Sequence, residues 1–262
     1  VKKRINAPTV LGVLVTTAMV VLTGCSSAEV SATPTLADLS DVENLPDSLA
    51  LATPVNDLTS VDNEGSTSIE LDDLQSALAA SSDLSTEEIT GLLLMREEEK
   101  LAHDVYTVLY EAWNLRIFEN IASSEQTHTD AVKALLDAYG ILDPAAGEAI
   151  GEFVNADLQA LYDELVTQGS QSLGEALKVG AAIEEIDILD LEEQLAHTDN
   201  ADIRAVYENL MKGSRNHLRS FTSTLKQQTG EIYEPQYLSA DVYQSIVGSA
   251  IETGSRGNRN RN

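Results

Sequence analysis

The chain has 262 residues, 43% of them hydrophobic and 5% aromatic, enough for one core of middling size plus extensions. Its formal charge of −27 argues against binding nucleic acid through a basic surface. A single cysteine excludes a disulfide framework and a thiolate zinc site within one chain.

The chain opens with Lys2, Lys3 and Arg4, followed by an almost wholly apolar or small stretch over 9–22 and then Leu22-Thr23-Gly24-Cys25. A basic start, an apolar middle and small residues before the cut describe a signal peptide, here spanning 1–24. The Leu-x-Gly-Cys ending resembles a bacterial lipobox, which implies that Cys25 is lipid-modified and becomes the mature N-terminus. The expected location is the cell envelope, lipid-anchored to a membrane on its extracytoplasmic side. An uncleaved anchor helix and an ordinary signal peptide with an incidental cysteine are the alternatives. Residues 25–69 then combine this cysteine with an acidic stretch rich in Ser, Thr and Pro and without periodicity, which reads as a flexible tether.

A helical domain with a C-terminal extension is expected over 70–245, and a disordered tail with a basic end over 246–262. A short helix is expected from Leu71 to Ala80. Ser85-x-x-Glu88 reads as a capping box that opens a first long helix of about 86–113, and a second follows at about 117–139, ending at Gly140. A connection containing Pro144 and a short helix near Asp157–Gln168 lead to Ser172-x-x-Glu175, read as another capping box. That box opens a third long helix at about 173–197, and a fourth runs over about 201–228 to Gly230. No run of alternating β-branched residues stands out, so the class is all-α. Two tight turns and one long connection predict two antiparallel helix hairpins joined by a crossover.

Each long helix carries polar groups inside its apolar stripe. The first repeats Leu92, Met95, Glu99, Ala102, Tyr106, Leu109 and Trp113 at three-four spacing, and the second repeats Ile121, Glu125, His128, Val132 and Leu135. The third gives Leu177, Gly180, Glu184, Asp187 and Leu191, with Glu185 as the alternative inward acid; the fourth gives Tyr207, Leu210, Ser214, His217 and Phe221. Glu97 reads as part of a solvated charge run, Glu98 stands one helical step from the stripe, and His103 reads as a supporting or surface histidine. A carboxylate on an apolar stripe is expensive to bury without a compensating charge. Glu99 precedes His128 by 29 residues and Glu184 precedes His217 by 33, with a turn roughly midway in each case, so all four stretches reach one level. Metal ions held between the helices by Glu99, Glu125, His128, Glu184, Asp187 and His217 would supply that charge.

The stretches Glu99-Lys-Leu-Ala-His-Asp-Val-Tyr106, Ser124-Glu-Gln-Thr-His128 and Ala182-Ile-Glu-Glu-Ile-Asp187 resemble the metal-ligating helices of ferritin-like di-iron proteins, most closely rubrerythrins. The wording of 86–245 further resembles the branch called domain-of-unknown-function family 2202, through Met95-Arg-Glu-Glu-Glu-Lys-Leu-Ala, Asn216-His-Leu-Arg-Ser-Phe and Pro235-Gln-Tyr-Leu. The resemblance implies a ferritin-like four-helix bundle, an iron cofactor (a di-iron pair, or another divalent metal), and oxidation of Fe(II) or reduction of peroxide. Dioxygen or peroxide and an electron donor the sequence does not name are the partners it brings, and a second copy of the chain is a further candidate partner. Tyr106, one turn beyond Glu99 on the same stripe, reads as a packing tyrosine, with a supporting hydrogen-bond donor or a transient radical as the alternatives. One departure stands out: the fourth helix of the family pattern carries Glu-x-x-His, where this chain has Ser214-x-x-His217. Asp187 is the acid that can replace the missing one. A non-catalytic metal-binding or sensing lipoprotein, and a helical interaction module with a decayed site, are the competing functions.

Overall fold

The computed structural model describes residues 59–61, 67–78 and 83–253; the expected signal peptide, Cys25, most of the tether and the basic end lie outside the described residues. The described chain is mostly helical, with one small sheet. Helix α2 (Thr86–Trp113) opens with a complete capping box: Glu88 N–H donates to Ser85 Oγ at 3.1 Å, and Ser85 N–H donates back to Glu88 Oε2 at 2.8 Å. After a two-residue turn, with Asn114 left-handed at φ 49°, helix α3 (Arg116–Ala138) runs back along α2. Gly140 ends it at φ 67°: Ile141 N–H reaches Leu136 O at 2.8 Å and Gly140 N–H reaches Asp137 O. This is the closing pattern that favours glycine at a left-handed position.

The crossover leads into α4 (Ala156–Gly169), capped by Asn155 and packed on α2 and on α5 (Leu173–Ala196). Ser172 caps α5 through Glu175 N–H, but the reciprocal bond of a full box is not made, because the Glu175 carboxylate turns to Lys178 and Gln168. Helix α6 (Ala201–Thr229), capped by Asn200, folds back on α5. Contacts of α3 with α6 and of α2 with α5 close the four long helices around one axis.

Two expectations are corrected at the ends. Residues assigned to the tether form β1 (Thr59–Val61) and β2 (Thr67–Ile69), an antiparallel pair with Thr59 opposite Ile69, followed by α1 (Leu71–Ala77). The pair docks on α3 and α6, where Ile69 N–H donates to Thr127 Oγ1 at 3.2 Å and Lys212 Nζ donates to Thr59 Oγ1 at 2.8 Å. Strands this short show no readable alternation, and their burial comes from the helices beneath. At the other end α7 (Ala240–Val247) crosses the expected boundary at 245, and the chain stays tied down to Glu252. The Glu252 carboxylate pairs with Arg215 and Arg219, and its backbone bonds Asn216. Among the described residues no helix is long and apolar enough to cross a membrane.

Candidate metal centre

The apolar interior divides into two clusters along the helix axes. One holds Leu92, Met95, Val132, Leu135, Val206 and Leu210. The other holds Leu101, Val105, Phe118, Ile121, Leu218 and Phe221. On α2, α3 and α6 the candidate ligands fall between the two, and on α5 Glu184 lies between Ile183 and Ile188 of the latter cluster, so the polar side chains form a layer inside the apolar packing. Glu99, Glu125, His128, Glu184 and His217 are each at most 2% exposed. Helical periodicity places them there, because each occupies a slot of its stripe that would otherwise carry Leu or Ala.

Glu125 stands at the middle of the layer. Its Oε2 lies 2.8 Å from His128 Nδ1 and its Oε1 lies 2.7 Å from His217 Nδ1. Glu99 Oε2 flanks the first ring at 3.3 Å and Glu184 Oε2 flanks the second at 3.5 Å. The rings stack with centroids 5.5 Å apart. Two donor sets result, Glu99–Glu125–His128 and Glu125–Glu184–His217, each with ligand atoms within 4.8 Å of one another. His128 Nδ1, His217 Nδ1, Glu99 Oε1 and Glu125 Oε1 are buried, and the close nitrogen–oxygen approaches among them lack hydrogen-bond alignment. Native interiors rarely leave such atoms unsatisfied. Carboxylate oxygens and imidazole nitrogens aimed at common points are a donor set that suits divalent and trivalent first-row ions. These buried groups can therefore hold a metal ion in each set, with Glu125 shared.

The far sides of both rings meet hydroxyls. Thr67 Oγ1, on β2, lies 3.1 Å from His128 Nε2 and 3.2 Å from His217 Nε2, and Ser124 Oγ lies 3.0 Å from His217 Nε2. Neither residue was singled out from sequence. Ser124 lies one turn before His128 on the same helix, a position that periodicity can find; Thr67 offers no such signal.

The buried groups of the layer shift one another strongly. Burial pushes the Glu99 carboxyl up to about 7, against the pull of His128. Burial would also raise Glu125, but the two imidazoles facing it overcome this and hold it below the usual carboxylate range. Burial disfavours the imidazolium of His217, yet Glu125 and Glu184 raise it to about 9, and Glu125 and Glu99 raise His128 well above its ordinary value. Each of these shifts favours pairing the Glu125 carboxylate with protonated rings.

Asp187 stands outside both donor sets and accepts a hydrogen bond from Ser214 Oγ. Burial pushes its carboxyl well up, with Glu99 adding to the effect. Asp187, Glu98, Glu125 and Glu184 line a cavity of about 20 Å³ together with Leu158 and Leu161 of α4. That is room for one water-sized molecule. Glu98 Oε2 is shut off from solvent beside Asp190. The Tyr106 hydroxyl donates to Glu184 Oε1 at 2.5 Å.

Three neighbouring acids do something else. Glu97, read as solvated, is buried: its Oε1 accepts from Val154 N–H at 2.6 Å and Asn155 N–H at 3.1 Å, because the crossover into α4 covers it. Glu185 Oε2 accepts from the backbone N–H groups of Gln236, Tyr237 and Leu238, so the inward acid of α5 is Glu184. Asp104 receives His103 Nδ1 at 2.9 Å, away from the centre.

An uncharacterized protein of Methanocaldococcus jannaschii, MJ0754, is 55% identical over 171 residues, which cover 65% of this chain and 92% of that protein. A crystal structure of hypothetical protein MJ0754 from Methanococcus jannaschii matches with a TM-score of 0.64 at 54% identity, covering 66% of this chain and 98% of the other. The family model described as an uncharacterized protein domain, DUF2202, matches residues 88–250, the segment that carries all six candidate ligands. The chain belongs to the DUF2202 family.

Proposed function

We propose that the chain is a di-iron carboxylate protein of the ferritin-like, rubrerythrin-like kind, which oxidises Fe(II) or reduces peroxide inside its helix bundle. The observation that carries this reading is the shared carboxylate: Glu125 places one oxygen beside each imidazole nitrogen, and neither approach is aligned as a hydrogen bond. Glu99 and His128 would complete one ion's ligands and Glu184 and His217 the other's, the arrangement that paired carboxylate–histidine helices provide. Hard carboxylates favour the ferric state and imidazoles tolerate the ferrous one, so two bound irons would supply the two electrons that turn one peroxide and two protons into two waters.

The chain's own residues set the conditions. Leu158 and Leu161 of α4 line the cavity beside Glu125 and Glu184, whose volume of about 20 Å³ suits a guest of a few atoms. Tyr106 holds Glu184 by its Oε1 and leaves Oε2 toward His217. Asp187, on the cavity wall, is an acid able to hold a proton there. Aerobic loading with Fe(II) tests the reading: about two irons per chain with an oxo-bridge absorption are expected. Purified, loaded protein without stoichiometric metal would rule it out.

The Leu22–Cys25 motif supports a lipid-anchored place in the envelope. Cys25→Ser is expected to release the protein from the membrane fraction with its helical content intact. A mutant that still fractionates wholly with membranes counts against the lipid anchor.

A further inference from the structure

A neutral imidazole that gives Nδ1 to a cation carries its proton on Nε2, and that N–H needs an acceptor. Here both acceptors come from hydroxyls, and one of them arrives from outside the segment that the family model matches. We propose that Thr67 is a positioning residue for the whole centre, whose single hydroxyl orients both histidines with Nδ1 toward the metals. This rests on the di-metal reading above.

Counting donors and lone pairs supports it. A hydroxyl has one hydrogen and two acceptor sites. Thr67 Oγ1 accepts from His128 Nε2–H at 3.1 Å and from His217 Nε2–H at 3.2 Å, and gives its own hydrogen to Ser124 Oγ at 2.9 Å. Ser124 Oγ also accepts the Thr67 N–H at 3.0 Å and donates to the Thr67 carbonyl. Every donor is then used with both rings protonated on Nε2, and both Nδ1 lone pairs are left for the centre. The approach is built in on the helix side as well. A Cβ at Gly213 would stand 2.5 Å from His128 Cε1 and 2.8 Å from Thr67 Oγ1, so only glycine at this point of α6 admits ring and strand together.

A hydroxyl also differs in kind from the carboxylate that often backs a metal-bound histidine. It fixes the ring without adding negative charge to a layer that already holds Glu99, Glu125, Glu184 and Asp187. Ser124 Oγ also stands 3.0 Å from His217 Nε2, and Thr67 holds it there through its own N–H and hydroxyl, so loss of the Thr67 hydroxyl disturbs the acceptors of both rings. A strand serving only as packing would predict no such linkage.

Cobalt(II) titrated into metal-free, full-length protein tests this through its visible ligand-field bands. Wild type is expected to take up about two ions per chain. Thr67→Val keeps the shape and removes the hydroxyl; it should weaken both binding steps by about tenfold and shift the bands. Thr67→Ser should restore both. If the valine variant does not fold, Thr67→Ala against Thr67→Ser gives the same comparison. Affinities within about twofold of wild type and unmoved bands in the hydroxyl-free variant overturn the inference while leaving the metal reading intact. Weakening confined to one ion, or a failure of serine to restore, overturns it too. Wild type that takes up no cobalt overturns the metal reading and this inference with it.

Discussion

The two helix hairpins offer the centre the same parts in the same order, except at one position. Helices α2 and α3 bring Glu99, then Glu125 three residues before His128; α5 and α6 bring Glu184, then Ser214 three residues before His217. Glu125 reaches both imidazoles, whereas Ser214 reaches none and bonds to Asp187. The centre therefore has one bridging acid where two matched hairpins would give two. Its two candidate donor sets depend on the first hairpin more than on the second.

The largest effect should come from that bridge. Glu125→Gln removes a charged donor from both sets at once and is expected to abolish binding of both ions. Glu99→Gln and Glu184→Gln each touch one set and should each leave one ion bound. Metal content per chain across the three variants decides this. Retention of an ion in Glu125→Gln would show that the sets are independent.

Removing the metal should rank next. A ligand that binds only the folded state at about a hundred times its Kd adds roughly 2.7 kcal/mol, so the metal-free protein should melt at a lower temperature. Its pH dependence has a definite sign. Folding raises His217 from 6.5 to about 9 and Glu99 from 4.5 to about 7, so the folded metal-free chain binds more protons than the unfolded one. Stability from these groups is complete below their unfolded values and is lost as pH rises through about 7 and then about 9. Glu125, held low, works in the opposite sense only at acid pH. Calorimetry should show melting temperature falling with pH in metal-free protein and nearly level in loaded protein. Equal slopes would speak against ligation by these residues.

The same contrast explains what could be read from sequence. Helix starts were legible because caps act within three residues, as Ser85 and Glu88 do. The donor sets were legible because a carboxylate or histidine on an apolar stripe breaks a pattern. Thr67 was not, since it lies 61 residues from His128 on a strand of three residues. The Glu97–Glu98–Glu99 run was misread at Glu97 for a geometric reason. Successive helical residues point in different directions, and here each direction is covered: the crossover on Glu97, the cavity at Glu98 and the centre at Glu99.

A smaller effect is expected where the second hairpin replaces its missing acid. Asp187→Asn keeps the size but removes the charge beside Ser214, and should weaken one ion by about tenfold, or about 1.4 kcal/mol. Adding Ser214→Glu to it should recover part of that loss by restoring symmetry with Glu125. Neighbours sharing one site are non-additive, so the double variant carries the information. Wild-type affinity in Asp187→Asn would make Asp187 a packing acid.

The smallest effect should separate the centre from its frame. Each hairpin also uses a buried glutamate next to its ligands to hold an extension: Glu97 of α2 takes the backbone N–H groups of Val154 and Asn155, and Glu185 of α5 takes those of Gln236, Tyr237 and Leu238. Glu97→Gln leaves an amide oxygen able to accept the same bonds without the charge. Stability should fall by about 1 kcal/mol, the usual difference for such a hydrogen bond. Metal content should stay at the wild-type value, because Glu97 faces α4 rather than the ligands. Urea unfolding of metal-free protein reads the first quantity and metal analysis of loaded protein the second. A loss of metal in Glu97→Gln would mean that the crossover, by lining the cavity with Leu158 and Leu161, also holds the ligands of α2 in place.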